Sequence, residues 1–270
     1  MKNINKDPLV SIIITNFNKS RFLIKAVQSC IDQKYKTIEI IFFDDNSTDD
    51  SLKKIRDFKR KNSLKFKIIS NLKKRKNTAP INQIIAVKKS LNFAKGKFVF
   101  LLDSDDFFHK DKVSKIIKIF KKNKEKKMIL DSPIYKYETK EIKKSYSSKN
   151  STNKWPKFPP TSCMCFEKKT LKNVIIKIDF KRFPNLAIDF FLATYYHIIL
   201  KNFFIYKKHL TYYRQVNDGI DTNYSKYRSK KWWIRRKEAF EFLNYLLIKN
   251  KLSTNQSLDF LVTNFLNKFL

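Results

Sequence analysis

The sequence predicts an α/β fold, a mostly parallel sheet flanked by helices. Apolar runs of strand length alternate with stretches of helical period through the first half of the chain. Polar clusters stand at the carboxyl ends of those runs, where open α/β sheets bind their ligands. A length of 270 residues suits one sizeable domain, or one domain with an appended subdomain, and leaves ample core.

The elements follow in order. Leu9 to Thr15 reads as a buried strand, and Phe22, Leu23, Ala26, Val27, Cys30 and Ile31 then recur at helical spacing. Ile38 to Phe43 is a second strand, with Ser47-Thr48-Asp49-Asp50 as a helix start and Leu52, Ile55 and Phe58 on one face. Phe66 to Ser70 is a shorter strand, and Ile81, Ile84, Ile85 and Leu91 predict a helix ending near Gly96. Phe98 to Leu102 is the next strand, and Val113, Ile116, Ile117 and Phe120 mark another amphipathic helix. The second half changes character. Tyr137 to Lys154 reads as a connection rich in Lys, Ser, Asn and Thr. A short strand, Ser162 to Phe166, and a helix from about Leu186 to Leu200 follow it. Two further amphipathic helices carry Phe240, Leu243 and Leu247, and then Leu258, Leu261, Val262, Phe265, Leu266 and Phe269. Core packing is the default expectation for both, with an oligomer seam or a foot on a membrane surface as alternatives.

Composition narrows the partners. The formal charge is +35, but lysine is spread along almost every segment and does not form a groove, so no nucleic-acid partner is predicted. The charge does favour anionic membrane surfaces and phosphorylated substrates. Cys30, Cys163 and Cys165 have neither metal-ligand spacing nor an even count, which fits a reducing cytoplasm. Met1 to Pro8 is polar and leads directly into a strand, unlike a signal peptide. Phe183 to Leu200 is broken by Asp189 and His197, so no membrane span is predicted. The expected location is the cytoplasm, with peripheral contact at the inner face of the cell membrane.

The segment Val99 to His109 is the most informative, because an apolar strand runs into Asp103, Asp105 and Asp106. Carboxylates repel, so a cation is expected among them. On an extended backbone residues two apart share a side. Asp103 and Asp105 can therefore reach one hard divalent ion, or the hydroxyls and metal of one nucleotide. The alternative is a polar strand end whose aspartates cap the next helix.

Three motifs occur in order: Ser11-Ile12-Ile13-Ile14-Thr15-Asn16-Phe17-Asn18-Lys19, Phe43-Asp44-Asp45-Asn46-Ser47-Thr48-Asp49-Asp50-Ser51 and Leu102-Asp103-Ser104-Asp105-Asp106. Together they resemble family 2 glycosyltransferases, nucleotide-diphospho-sugar transferases of the GT-A fold. The resemblance covers about Pro8 to Lys118 well and reaches faintly to about Asp221. It implies a Rossmann-like mixed sheet, with residues 1–229 as the transferase domain and 230–270 as a helical extension. Within that domain, 1–120 would bind the donor and 121–229 the acceptor.

The resemblance also implies roles. Thr15, Asn16, Phe17 and Asn18 would line the nucleotide pocket, and Asp45 or its neighbour Asp44 would accept the N3–H of uracil or thymine. Asn82 and Ser104 join the donor site. Asp103 would approach the ribose, and Asp105, with Asp106 as alternative, would hold Mg²⁺ or Mn²⁺ on the diphosphate. Asp189 is the expected general base, with Asp179 next, against the rival reading of a buried pair with a lysine or His197. Arg214, in Tyr212-Tyr213-Arg214, would clamp phosphate. Asn46 would take a left-handed backbone site that the family usually gives to glycine. The chain departs from the family pattern in two places. No arginine precedes Asn82 at the expected spacing, leaving Arg75 or Lys76, and Val216 and Asn217 stand where a histidine is usual.

The implied activity is inverting, metal-dependent transfer of a sugar from a UDP- or dTDP-sugar to a glycan or lipid-linked saccharide for a cell-surface polysaccharide. Two other classes are weighed beside it. A sugar-phosphate nucleotidyltransferase would normally open on a glycine-rich phosphate loop, and Thr15-Asn16-Phe17-Asn18 has no glycine. A degenerate homologue that binds anionic surfaces would not require acidic strand ends.

Overall fold

The computed structural model describes residues 7–62, 66–72, 76–146, 157–219, 224 and 226–270. Nine strands form one sheet, in the order β3-β2-β1-β4-β8-β6-β9-β5, with β7 paired to β6. The parallel half consists of β1 (Val10–Asn16), β2 (Ile38–Asp44), β3 (Phe66–Ser70) and β4 (Phe98–Asp103). The mixed half adds β5 (Phe107–Phe108), β6 (Met128–Lys136), β7 (Glu141–Lys143), β8 (Met164–Glu167) and β9 (Phe203–Arg214). Here β8 runs antiparallel to both β4 and β6, while β9 is parallel to β6. Strands β5 and β7 run against β9 and β6, so most strands of the sheet share one direction.

The central strands are continuous apolar runs because helices cover both faces. Alternate side chains point to opposite faces. On one face Ile12, Ile14, Phe42, Phe100 and Leu102 pack against α1 (Leu23–Ile31), α2 (Ser51–Arg60) and α4 (Lys112–Lys122). On the other Ile13, Ile41, Val99 and Leu101 pack against α3 (Ala79–Leu91), α5 (Lys168–Lys177) and α6 (Ile188–Tyr195). Ala239, Phe242 and Leu246 of α7 (Lys230–Lys249) join that second core.

Several elements differ from their sequence reading. The third helix ends at Leu91, not near Gly96, and Gly96 instead lets the chain pass against β1. A Cβ there would lie 2.5 Å from the Ser11 backbone nitrogen. The span Leu186 to Leu200 is α6 followed by a π-helical turn, Tyr196–Leu200, which stops at Lys201 in the left-handed region. Ser162 lies in a 3-10 turn, Thr161–Cys163, so its strand begins at Met164. The connection from Tyr137 contains β7, and its residues 147–154 lie outside the described set.

The two final helices behave oppositely. The expected face of α7 is buried at Phe240, Leu243 and Leu247. The expected core face of α8 (Leu258–Leu266) is exposed at Leu258, Leu261, Val262, Phe265 and, beyond the helix end, Phe269. Core packing therefore fails for α8. Among the described residues no helix is long and apolar enough to cross a membrane.

Candidate active site

Parallel pairing brings the ends of β1, β2 and β4 level: Asn16 opposes Asp44, and Thr15 opposes Asp103. A cavity of about 380 Å³, within the usual range for small-molecule sites, opens at these ends. Its floor carries Thr15, Asn16, Phe17, Asp45, Asp103, Ser104 and Asp105. Asn82 and Gln83 enter from α3, Asp189 from the first turn of α6, and Arg214 from the end of β9.

Asp103 is anchored from three sides. Thr15 Oγ1 and Gln83 Nε2 donate to its Oδ1 at 3.0 and 2.7 Å, and its backbone N–H donates to Ser162 Oγ at 3.0 Å. Burial, reinforced by the Asp105 charge, pushes its carboxyl up to about 7 against those two donors. Asp105 faces the cavity with Lys19 Nζ 3.3 Å from its Oδ2, and burial raises it despite that ammonium. Lys19 also donates to Asp218 Oδ1 at 2.6 Å, pinning the segment that follows β9.

The remaining acids divide by placement. Asp45 lines the cavity and accepts from Asn71 Nδ2 at 2.9 Å. Asp44 is fully buried behind it. Its Oδ1 accepts from Asn16 Nδ2 at 2.8 Å and Ser47 Oγ at 2.6 Å, and its Oδ2 from the Ser47 N–H at 2.9 Å. Asp44 thus ties β1 to the turn after β2, and Asp45 is the member of the pair that reaches the cavity. Asp106 is also fully buried, and its oxygens accept from Ser162 Oγ at 2.6 Å and the Arg214 N–H at 2.8 Å. Burial and the charges of Asp105 and Asp103 push it well above the carboxylate range. It fastens β9 to the acidic loop, leaving Asp105 as the cavity-facing candidate for a metal.

Asp189 is the second residue of its apolar helix and stands in the first turn. A carboxylate is favoured there by the helix dipole, and the Phe190 N–H donates to it at 2.7 Å. His197 lies beyond α6 in the π-helical turn, 5.3 Å from the ring of Phe203. Asp179 is exposed and does not line the cavity. Arg214 donates to the Asp105 carbonyl at 3.0 Å, with its guanidinium 4.9 Å from the ring centres of both Phe22 and Phe107. Burial lowers its pKa against the pull of Asp106 and Asp105. Asn46 takes a φ of 61° and Asn18 one of 52°, the left-handed region that asparagine tolerates best after glycine. Asn18 accepts from the Thr48 N–H at 2.8 Å and ties the loop after β1 to the one after β2, outside the cavity wall.

Residues 11–177 match the sequence profile described as Glycosyl transferase family 2, more than half of the chain. The chain belongs to glycosyl transferase family 2. Among curated relatives of the family, an uncharacterized glycosyltransferase of Haemophilus influenzae is 33% identical over 118 residues, covering 43% of this chain and 44% of that one. An Escherichia coli protein, UDP-Glc:alpha-D-GlcNAc-diphosphoundecaprenol beta-1,3-glucosyltransferase WfaP, is 35% identical over 118 residues, 39% of each chain. The chain therefore spans less than half the length of these relatives. The fold agrees with solved transferases. TarS 1–349 of S. aureus, in complex with UDP-GlcNAc, superposes with a TM-score of 0.62 at 17% identity, covering 94% of this chain and 79% of that one. Mannosyltransferase PcManGT of Pyrobaculum calidifontis, in complex with GDP-Man and Mn²⁺, gives 0.59 at 14% identity over 96% and 70%.

The resemblance of the sequence to family 2 implied a divalent metal, and the acidic loop can be tested for it. Among the described residues no group of three or more His, Cys, Asp or Glu gathers as a metal cage. Asp105 offers one partly accessible carboxylate, already compensated by an ammonium. That donor set fits a hard cation taking one protein carboxylate and filling its shell from diphosphate and water. Among the described residues the cations lining the cavity are Lys19 and Arg214; Lys76 is exposed and does not line it, and Arg75 lies outside the described residues.

Sequence reasoning missed Gln83, Asp218 and the role of Lys19. It also missed the layer beneath the site, where Lys112 Nζ lies 2.8 Å from Asp131 Oδ1 and donates to the Ser162 carbonyl and Thr211 Oγ1 at 2.6 Å each. Lys112 reads as one more lysine in a helix rich in them. Its only sequence signal is its place one residue before the apolar Val113.

Proposed function

We propose that this family 2 glycosyltransferase is inverting and metal-dependent, moving a sugar from a UDP- or dTDP-sugar to a glycan or lipid-linked saccharide in the building of a cell-surface polysaccharide. The observation that carries the reading is the cavity in which Asp45, at the end of β2, and Asp103 and Asp105, at the end of β4, meet Asp189 and Arg214. Asp45 accepts an imide N–H from the base, and Asp103, held by Thr15 and Gln83, meets the ribose. Thr15, Asn16, Phe17, Asn82 and Ser104 form the walls around the nucleotide. Asp105 holds Mg²⁺ or Mn²⁺, which when bound offsets the charge of the departing diphosphate. Lys19 and Arg214 add fixed positive charge beside it. Asp189 takes the proton of the acceptor hydroxyl as it attacks from the face opposite the leaving group. The printed names of a relative and two structural neighbours, with UDP-Glc, UDP-GlcNAc and GDP-Man with Mn²⁺, support a nucleotide-sugar donor. We divide the chain into a donor half, 1–120, an acceptor half, 121–229, and a helical extension, 230–270. The enzyme works in the cytoplasm, in peripheral contact with an anionic membrane that carries its acceptor.

Calorimetric titration of UDP, dTDP, GDP and CDP, with and without Mn²⁺, tests the donor site. Manganese-dependent binding of UDP or dTDP by the wild type, lost in Asp105→Ala, is the expected result. Tight binding that ignores both the metal and Asp105 would overturn the assignment. Asp189→Asn should bind the same diphosphate and lose transfer by a factor of 10² or more.

A further inference from the structure

Helix α8 is built inside out. A helix that closes a core turns its apolar stripe inward. Here the inward side is mostly polar. Thr263 is fully buried, Asn267 Nδ2 donates to the Trp233 carbonyl at 3.2 Å, and Asp259 pairs with Arg236. Only Phe260 contributes a ring, 5.6 Å from Phe240. The outward side carries Leu258, Leu261, Val262, Phe265 and Phe269, spaced as one helical stripe, with Leu258, Phe265 and Phe269 exposed by 77, 59 and 74%. A contiguous apolar surface facing water on a soluble chain marks an interaction site.

Charge and aromatic placement identify the partner. α8 runs antiparallel to α7, with Asn267 at Trp233 and Asn255 at Asn244. Arg228, Lys230 and Lys231 are exposed at one end of the pair, and Lys249 and Lys251 at the other. The exposed acids on the two helices are Glu241 and Asp259, and Asp259 is held by Arg236. Beside the stripe opens a cleft of about 610 Å³ in which Val262 and Leu266 meet Tyr227, Arg228, Trp232 and Trp233. Apolar side chains on one face, Trp and Tyr beside them and cations at both ends are the composition of a helix lying in the headgroup plane of an anionic bilayer. A protein partner would find its complement in acids, which would have to face all five cations; an anionic leaflet supplies that charge at every point.

We propose that the α7–α8 pair is a docking surface for an anionic phospholipid bilayer, with the α8 stripe entering the acyl boundary and the flanking Arg and Lys side chains at phosphate level. This locates the membrane contact of the proposed function but does not depend on the chemistry in the donor cavity. Vesicle binding and diphosphate binding are separate measurements, and either can fail alone.

The test is flotation of the whole chain with vesicles of phosphatidylcholine alone and of phosphatidylcholine mixed with phosphatidylglycerol. The chain should float with the mixed vesicles and not with the neutral ones, and rising salt should weaken the binding. Leu261→Asp/Phe265→Asp should reduce the partition tenfold or more with unchanged circular dichroism and melting temperature. Ile176→Asp, at a still more exposed apolar residue on α5, should leave the partition unaltered. Undiminished flotation of the double variant, or no flotation of the wild type with mixed vesicles, overturns the proposal. So does equilibrium sedimentation showing a lipid-free dimer that the double variant dissolves, because the stripe would then serve a second copy.

Discussion

Replacing Lys112 with methionine should expose how the candidate site is supported from beneath. Lys112 and Asp131 are both fully buried, with Nζ and Oδ1 2.8 Å apart. Burial, the largest influence, lowers the ammonium, but the charge and hydrogen bond of Asp131 together with the neighbouring Cys165 and Cys163 outweigh it and hold Lys112 above its ordinary value. Burial lifts Asp131 while Lys112 pulls it back. Methionine conserves volume and removes the charge, so the buried Asp131 carboxylate keeps only the Leu210 N–H and the Thr211 hydroxyl as donors and is driven toward its protonated form. The unfolded chain releases that proton above its ordinary value of 3.8. A folded-state pKa raised in this way costs stability as pH rises, by about 1.36 kcal/mol per unit. The penalty of Lys112→Met should therefore grow from pH 5 to pH 7 by up to about 1.36 kcal/mol per unit, and at pH 7 reach the range of about 3–5 kcal/mol typical of breaking a buried pair. Urea unfolding followed by circular dichroism at pH 5, 6 and 7 measures the difference from wild type directly. Lys112→Met/Asp131→Asn, with no group left to titrate there, should show no such slope. A penalty that is flat across this range, or below about 1 kcal/mol at pH 7, would refute the reasoning.

Gly96→Ala should destabilise by about 1–3 kcal/mol, since the new Cβ would stand 2.5 Å from the Ser11 nitrogen and 2.8 Å from the Leu9 carbonyl, both backbone atoms. A melting temperature equal to wild type would show that β1 yields freely. Asn46→Ala should cost about 1 kcal/mol at a φ of 61°, whereas Asn46→Gly should cost nothing, and equal losses in the two would place the effect in the side chain and not the backbone.

The parallel half of the fold was legible because its strands are buried on both faces. Ile12, Ile13 and Ile14 leave no period to misread, and polar residues can appear only where the strands emerge. The mixed half was not. β6 was missed because its middle, Asp131-Ser132-Pro133, reads as a turn. In the fold that stretch is where the register with β9 shifts, and its acid is the partner of Lys112. β9 was missed because Lys207 and Lys208 interrupt it on an exposed face. The local motifs around Asp45, Asp103 and Asp105 were readable at fixed spacing. What separated Asp45 from Asp44, and Asp105 from Asp106, was which neighbour the backbone turned inward, and that depends on Ser47, Ser162 and the Arg214 amide.

Those inward-turned acids explain how a loop with three carboxylates in four positions can persist. Asp106 is spent on Ser162 and on β9, and Ser162 in turn receives the Asp103 N–H while its carbonyl accepts from Lys112. A single buried chain of hydrogen bonds thus links the cation beneath the sheet to the loop that faces the cavity. Such a chain fixes side-chain positions within tight limits, because each member left without its partner would bear a full desolvation cost. Asp105 is left as the acid whose charge is met from the cavity side, by Lys19, whose ammonium also holds Asp218. One lysine thus joins the cavity-facing acid to the segment that carries Gln215 to Gly219 along the cavity rim.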